Sequence, residues 1–223
     1  METTLIPVSI TEQLSEKTIV FLTSHFHAKV IEKGQQFLWE GELVDAVYMI
    51  LQGYVKVFHL SAEGREQVLA ILKEGGFVNA VSALQILSAN HAHASALGRV
   101  VLGKMALADF NHAIHEYPDF ALLQMRDLAD KLDHMTDLVS DLSLRSTRQR
   151  LIQFLLQNKT QRTAVSGWTQ EEIAAQIGTV RDVVSRLLGL FAREGLIRIE
   201  RQRIILLDVQ RLRSELEITG NAT

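Results

Sequence analysis

The spacing of apolar residues changes along the chain. Residues 1–24 have the spacing of helical turns. Between about His27 and Met105, short runs of alternating apolar and polar residues follow one another, separated by glycines such as Gly34 and Gly53. Because glycine tolerates a positive φ, these glycines mark corners between short strands. This part of the chain therefore predicts a compact antiparallel β structure after a helical start.

A long apolar seam follows Pro118, a residue that suits the first turn of a helix. Its members are separated alternately by four and three residues, and they are Ala121, Met125, Leu128, Leu132, Met135, Val139 and Leu142. This a/d spacing is typical of a two-stranded coiled coil, in which each helix buries its seam against a second copy. We predict a dimerisation helix with the last six residues at the dimer interface. The alternative is an amphipathic helix that packs only on its own domain.

A segment in the C-terminal third has the pattern of a helix, a turn and a second helix. Thr169 and Glu172 have the spacing of a capping box, which starts a short helix. Gly178 permits a tight turn, after which Thr179 is expected to cap the second helix, with Asp182 as its third residue. The order of these elements is that of a helix-turn-helix.

The start of the second helix and the segment after it supply the candidate DNA-binding residues. Polar side chains at the beginning of such a helix reach base edges in the major groove. After Gly195, two short strands flank a basic turn, which we expect to lie along phosphates as a wing. The candidates are Thr169, Thr179, Arg181, Asp182, Ser185, Arg186, Arg201 and Arg203. A plain helical subdomain with solvated arginines is the alternative.

Charge and composition agree with this interpretation. Residues 1–146 have a net charge of −7 and residues 147–223 have +4, which suggests a polyanionic partner for the C-terminal part. The absence of cysteine excludes disulfides, thiolate zinc sites and a cysteine-ligated iron–sulfur cluster. No apolar run is long enough to span a membrane, and the start lacks the order of a secretory signal, so we expect a cytoplasmic protein.

Two motifs in this order resemble the CRP/FNR family of bacterial regulators. The first is FLWEGE from Phe37 with VYMILQGYVKV from Val47, and the second is GTVRDVVSRLL from Gly178. The resemblance implies an α+β fold with three parts. An N-terminal antiparallel β-roll, a double-stranded β-helix like that of cyclic-nucleotide-binding domains, occupies residues 1–117. A dimerisation helix and hinge follow in 118–146, and a winged helix-turn-helix in 147–223.

The resemblance also implies a function. A homodimer would bind a palindromic operator in double-stranded DNA and contact RNA polymerase, with Arg181, Asp182 and Arg186 at the positions that read bases. Arginine suits the guanine edge, and an acidic side chain can accept from cytosine. An enzyme is not expected, because GxSxG, P-loop and HExxH motifs are absent.

The effector pocket departs from the family pattern. Cyclic-nucleotide binders have a Gly-Glu pair, whose Glu holds the ribose, and later an Arg-Ser or Arg-Thr pair, whose Arg neutralises the phosphate. Here Asn79-Ala80 and Asn90-His91 stand at these places. A phosphate would lack its charge partner, so we predict that cyclic AMP is not bound in the usual way. The candidate pocket residues are Phe77, Asn79, Asn90, His91, His93, Met135 and Thr136.

Three interpretations of the sensor half stay open. A different small effector would gate the regulator, or no effector would bind because apolar residues fill the pocket, namely Phe77, Leu84, Ile86, Leu87 and Met135. A haem-based sensor of CO or NO would use His91 or His93 as an axial ligand. No cofactor is assigned and no metal site is predicted, since His112 and His115 are expected to be surface histidines.

Overall fold

The computed structural model describes residues 6–85, 89–160, 163–201 and 203–217, without the side chains of residues 141, 142 and 217. These residues form two compact units. The N-terminal unit comprises Met1–His59 and Leu69–Met135, and the C-terminal unit comprises Leu60–Val68 and Thr136–Thr223. Across the described ranges, no helix is both long and apolar enough to cross a membrane.

The N-terminal unit begins with two helices and continues into strands. The helices are α1 (Val8–Thr11) and α2 (Glu16–His25), and Ser15 caps α2 by accepting a hydrogen bond from the Thr18 backbone N–H. The strands are β1 (His27–Ile31), β2 (Gln36–Leu38), β3 (Ala46–Gln52), β4 (Tyr54–Leu60), β5 (Glu66–Lys73), β6 (Phe77–Val78), β7 (His93–Ala96) and β8 (Val100–Ala106), with α3 (Ala80–Ala83) after β6.

The strands form two four-stranded sheets, in the orders β1-β8-β3-β6 and β2-β7-β4-β5. Alternate side chains from both sheets meet in one core, which includes Ile31, Ile50, Val55, Ala94 and Leu102. Gly53 turns the chain from β3 into β4 with a φ of +96°, and a Cβ there would approach the Arg99 carbonyl to 2.9 Å. The antiparallel β-roll that the sequence predicts is confirmed.

Two helices follow the β-roll and contribute side chains to a second hydrophobic core of the N-terminal unit. They are α4 (Leu107–Glu116) and the long α5 (Pro118–Leu144), which starts at the proline that the sequence places in its first turn. Phe120 of α5 packs edge-on against Phe77 and Phe110, with ring centroids 6.0 and 5.8 Å apart. The start of α5 is therefore fixed to the β-roll.

The C-terminal unit is a winged helix-turn-helix, as predicted. It contains α6 (Thr147–Gln157), β9 (Ala164–Ser166), α7 (Gln170–Gln176), α8 (Arg181–Arg193), β10 (Ile197–Glu200), β11 (Arg203–Leu206) and α9 (Val209–Glu217). The strands form a sheet in the order β10-β11-β9. The residue pattern predicts the β10–β11 hairpin but not β9 or α9. Apolar faces of the helices share one core with the sheet, which includes Leu151, Ile173, Val184, Phe191 and Leu212.

Candidate nucleic-acid interface and effector cavity

The capping box at the start of α7 is present. The Thr169 backbone N–H donates to Glu172 Oε2 at 2.7 Å, and the Glu172 N–H donates to Thr169 Oγ1 at 3.1 Å. The Thr169 hydroxyl also donates to the Glu172 carboxylate at 2.9 Å. The exposed Thr169 side chain thus fixes the first turn of α7 through local hydrogen bonds.

The turn between the two helices corrects one prediction. Thr179 does not cap α8, because the first carbonyl to accept from the helix is that of Val180, which receives the Val183 and Val184 N–H groups at 3.0 and 3.3 Å. The Thr179 backbone N–H donates to the Ala174 carbonyl at 2.9 Å, in the turn after α7. The helix begins one residue later, at Arg181, with Val180 at the N-cap and no side-chain capping bond. Asp182 is consequently the second residue of α8 and not the third. Gly178 has a φ of +65°, as the predicted glycine turn requires.

The first turns of α8 present one polar face to solvent. Arg181, Asp182, Ser185 and Arg186 are all exposed. Their spacing of one, four and five residues puts them on the same side of a helix. The apolar side, with Val184, Leu188 and Phe191, is buried in the core. The helix therefore offers two guanidinium groups, a carboxylate and a hydroxyl at its N-terminal end.

Two arginines of α6 hold the helix-turn-helix in place. Arg150 Nε donates to the Ile177 carbonyl in the turn at 2.8 Å. Arg148 donates to Glu194 Oε2 at 2.7 Å, at the end of α8, and its guanidinium lies 4.6 Å from the centre of the Phe191 ring. The hydrogen bond from Arg148 lowers the pKa of the Glu194 carboxyl. The C-terminal ends of α7 and α8 are thus supported by residues that sequence reasoning missed.

The wing has its own charge arrangement. Arg201 is exposed at the turn between β10 and β11. Arg203 lies 2.6 Å from the Glu200 carboxylate, which also accepts from Arg198 at 3.1 Å. The hydrogen bond from Arg203 lowers the pKa of the Glu200 carboxyl. Glu200 therefore competes with any phosphate for the guanidinium groups of the wing.

The N-terminal unit contains a cavity of about 260 Å³ that is partly open to solvent. Most of its wall is apolar, and five of the predicted pocket residues line it, namely Phe77, Asn79, His91, His93 and Met135. Of the other two, Asn90 is buried and its side-chain amide donates a hydrogen bond to the Trp39 carbonyl. Thr136 is exposed and belongs to the C-terminal unit. Lys131, which sequence reasoning missed, also lines the cavity.

The residues proposed to fill the pocket leave this volume open. Phe77 is packed in the core and Met135 is half-buried at the wall, whereas Leu84 is 38% exposed. Ile86 and Leu87 lie outside the described residues. In the described part, apolar side chains therefore do not fill the cavity.

The two histidines of the cavity are engaged in hydrogen bonds. His93 Nδ1 accepts from the Gln36 side-chain amide at 3.0 Å and from the Glu40 backbone N–H at 3.2 Å. Its neutral ring must therefore have the proton on Nε2, which leaves that nitrogen no lone pair for iron. His91 Nε2 bonds to Gln85 Oε1 at 2.9 Å. This arrangement does not favour haem ligation.

The remaining histidines form no metal site in the described ranges. His112 and His115 are exposed, and the His112 ring lies near the rings of Phe21 and Tyr117. Among these residues, no three His, Asp or Glu side chains are close enough to hold a metal ion.

The seam of α5 is unevenly covered. Met125, Leu132 and Val139, which occupy alternate seam positions, are 59%, 68% and 63% exposed. Leu128 and Met135 are half-buried, and the Leu142 side chain lies outside the described residues. The chain alone therefore leaves a row of large apolar side chains in solvent along α5.

Two family models match most of the chain. One, described as a cyclic nucleotide-binding domain, matches residues 28–117, and one described as a Crp-like helix-turn-helix domain matches residues 149–215. The chain belongs to the CRP/FNR family of transcription regulators. As a family member it is a DNA-binding transcription regulator.

Similar proteins match over most of their length. A CRP-like cAMP-activated global transcriptional regulator from Mycobacterium tuberculosis is 26% identical over 220 residues, 95% of this chain and 98% of the relative. A global nitrogen regulator from Synechococcus elongatus is 27% identical over 182 residues, 78% of this chain and 82% of the relative. The structure of a CRP/FNR regulator from Eubacterium rectale has a TM-score of 0.80 at 20% identity, covering 96% of this chain and all of that one.

Proposed function

We propose that this CRP/FNR regulator binds a two-fold symmetric operator as a homodimer, gated by a small effector other than conventionally bound cyclic AMP. The observation that carries the proposal is the polar face at the start of α8, where Arg181 and Arg186 are exposed beside Asp182. Arginine makes the commonest base-specific contact, a bidentate pair of hydrogen bonds to guanine. The basic wing, with Arg201 and Arg203, is suited to phosphates.

The dimer is supported by the exposed seam of α5. Met125, Leu132 and Val139 recur every seven residues, and burial of such side chains against a second copy is favourable by about 25 cal/mol per Å² of apolar surface. Two chains related by a two-fold axis would present two copies of α8 to successive major grooves, which is why we expect a palindromic operator. We take residues 1–117 as the sensor, 118–146 as the dimerisation helix and hinge, and 147–223 as the DNA-binding domain.

Gating by an effector is supported by the cavity of about 260 Å³ in the β-roll. A regulator with a filled pocket is less well supported, because the described part of the pocket retains this volume. A haem sensor is less well supported because of the hydrogen bonds at His93. Family membership supports a contact with RNA polymerase and action in the cytoplasm.

DNA binding is tested by fluorescence anisotropy with duplexes from the promoters of the source genome and with a scrambled duplex. Arg181→Ala is expected to weaken specific binding by roughly 1–3 kcal/mol and to leave binding to the scrambled duplex nearly unchanged. Arg193→Ala removes an exposed arginine from the far end of the same helix and serves as the control. Equal losses on both duplexes would assign Arg181 to a phosphate contact and contradict base reading.

A further inference from the structure

The β-roll cavity has one cationic group in a largely apolar wall. Among the described residues that line it, Lys131 is the single lysine or arginine, and no aspartate or glutamate is present. Side chains such as Leu38, Val57, Leu72 and Val78 form the rest of the surface. An apolar wall with few polar groups is typical of sites for small molecules, and the polar groups determine which head group is accepted.

Lys131 is held at the wall by two partners. Its Nζ donates to the Phe77 carbonyl at 2.9 Å and forms an ion pair with Asp127, one helical turn earlier on α5. An ammonium group has three donors, so one N–H is left by these two bonds. The ion pair with Asp127 shows that this ammonium group takes a carboxylate as its counter-ion.

The other polar groups at the cavity are mostly satisfied within the protein. The Asn79 amide donates to the Ala46 carbonyl and to Asn90 Oδ1. Ser82 Oγ accepts from the His91 backbone N–H at 3.2 Å, which leaves its hydroxyl proton free to donate. Lys131 and Ser82 therefore offer donors to a ligand, and a ligand that fits must supply acceptors.

The volume limits the size of such a ligand. About 260 Å³ is the space of roughly nine liquid water molecules at about 30 Å³ each, so a ligand of about ten non-hydrogen atoms would fill it. The cavity is smaller than the pockets of roughly 300–1,000 Å³ that enclose drug-sized ligands.

We propose that this cavity binds a small monocarboxylate with an apolar tail, whose carboxylate replaces Asp127 as the counter-ion of Lys131. The tail lies against the apolar wall, and the carboxylate accepts hydrogen bonds from Lys131 and Ser82. The proposal rests on effector gating and specifies the class of effector. Because Lys131 and Asp127 both belong to α5, the exchange of partners takes place on the proposed dimerisation helix.

Isothermal titration calorimetry of the full chain without DNA tests this proposal, with octanoate as the probe. Octanamide has the same tail without the charge, and suberate adds a second carboxylate at the far end. Octanoate is expected to bind at least roughly tenfold more tightly than octanamide, because a hydrogen bond to a charged group is lost in the amide. Suberate is expected to bind more weakly than octanoate, because its second charge would be buried among apolar side chains.

Two substitutions of neighbouring residues should change the affinity for octanoate in opposite directions. Lys131→Met is expected to reduce octanoate affinity to that of octanamide, and unchanged octanamide binding in that variant would show that the cavity is intact. Asp127→Asn is expected to strengthen octanoate binding, because it removes the competing carboxylate. Lys104→Met, at an exposed ion pair with Asp45 outside the cavity wall, should leave both affinities unchanged.

Three outcomes would overturn the proposal. These are equal affinities for octanoate and octanamide, no binding of either, or octanoate binding that Lys131→Met leaves unchanged. Operator binding is measured separately. If octanoate fails to bind as expected while DNA binding is intact, this inference alone is contradicted. Absence of DNA binding would instead contradict the proposed function.

Discussion

The side-chain amide of Asn79 donates a hydrogen bond to Asn90 Oδ1 across 2.9 Å. The second amide proton of Asn79 goes to the Ala46 carbonyl, and the Asn90 amide donates to the Trp39 carbonyl. The two side chains therefore satisfy each other and the backbone. By the family resemblance, they stand where cyclic-nucleotide binders begin the Gly-Glu and Arg-Ser pairs. No arginine is among the described residues that line the cavity, so a cyclic phosphate would lack that partner.

Cyclic AMP should consequently fail to stabilise the protein. We expect the thermal unfolding midpoint to stay unchanged as cyclic AMP is raised into the millimolar range, because a ligand stabilises the native state only when it binds there. Differential scanning fluorimetry measures this directly. A midpoint that rises and saturates with cyclic AMP would contradict the role we give to Asn79 and Asn90.

Asp119 joins the start of α5 to the start of α2. Its carboxylate accepts from the Ser15 backbone N–H at 2.7 Å and from the Thr18 hydroxyl at 2.8 Å. Asp119→Ala is expected to lower the free energy of unfolding by about 1–3 kcal/mol, since these donors lose a charged acceptor. Asp130→Ala, at an exposed position of the same helix, should change it by less than about 0.5 kcal/mol. Urea denaturation of both variants checks the difference.

The contribution of Asp119 should depend on pH. Burial raises the pKa of its carboxyl, but the hydrogen bonds from Ser15, Thr18 and Phe120 outweigh burial and lower the pKa overall. A lowered pKa in the folded state gives stability above the unfolded value, about 3.9, and this stability is lost as the pH falls through the folded value. The difference in the free energy of unfolding between wild type and Asp119→Ala should therefore shrink as the pH is lowered from 5 through the folded-state pKa. A difference that stays constant would rule out this linkage.

Leu132 occupies the centre of the exposed seam. Leu132→Asp is expected to abolish dimers, because it puts two like charges into the coiled-coil interface without partners. Ser140→Asp introduces the same charge at an exposed α5 position outside the seam and should leave the dimer intact. Light scattering after gel filtration gives both masses. Dimers of unchanged mass for Leu132→Asp would contradict the interface.

The charged side chains of the wing should affect the salt dependence of DNA binding. Arg203→Ala is expected to reduce the slope of log affinity against log salt by about 1, the effect of one lost phosphate contact. Glu200→Ala should steepen the slope and strengthen binding, because it releases Arg203 from its ion pair. Arg213→Ala, in α9, is the matched control. Identical slopes for wild type and both wing variants would show that the wing does not reach DNA.

The sequence predicts those features that depend on local pattern. The capping box of Thr169 and Glu172, the positive φ of Gly178 and the start of α5 at Pro118 follow from residue type and spacing, and the structure confirms them. The N-cap of α8 does not, because the first carbonyl to accept from the helix is that of Val180 and not that of Thr179. Residue type favours threonine as a cap, so residue type alone does not decide between two adjacent cap positions.

Contacts between distant residues could not be predicted. Lys131 falls on a polar position of the heptad pattern, with Asp127 four residues earlier, and this spacing is typical of an exposed helix pair. Only the folded chain brings it to Phe77 and the cavity. The hydrogen bond from Arg148 to Glu194 likewise joins residues that are 46 positions apart.

Native mass spectrometry of the protein with an operator duplex counts the chains bound to each duplex. We expect a complex of two chains per palindromic duplex, and loss of this complex with the Arg181→Ala variant. One chain per duplex, or no complex with any duplex from the source genome, would rule out a homodimeric DNA-binding regulator.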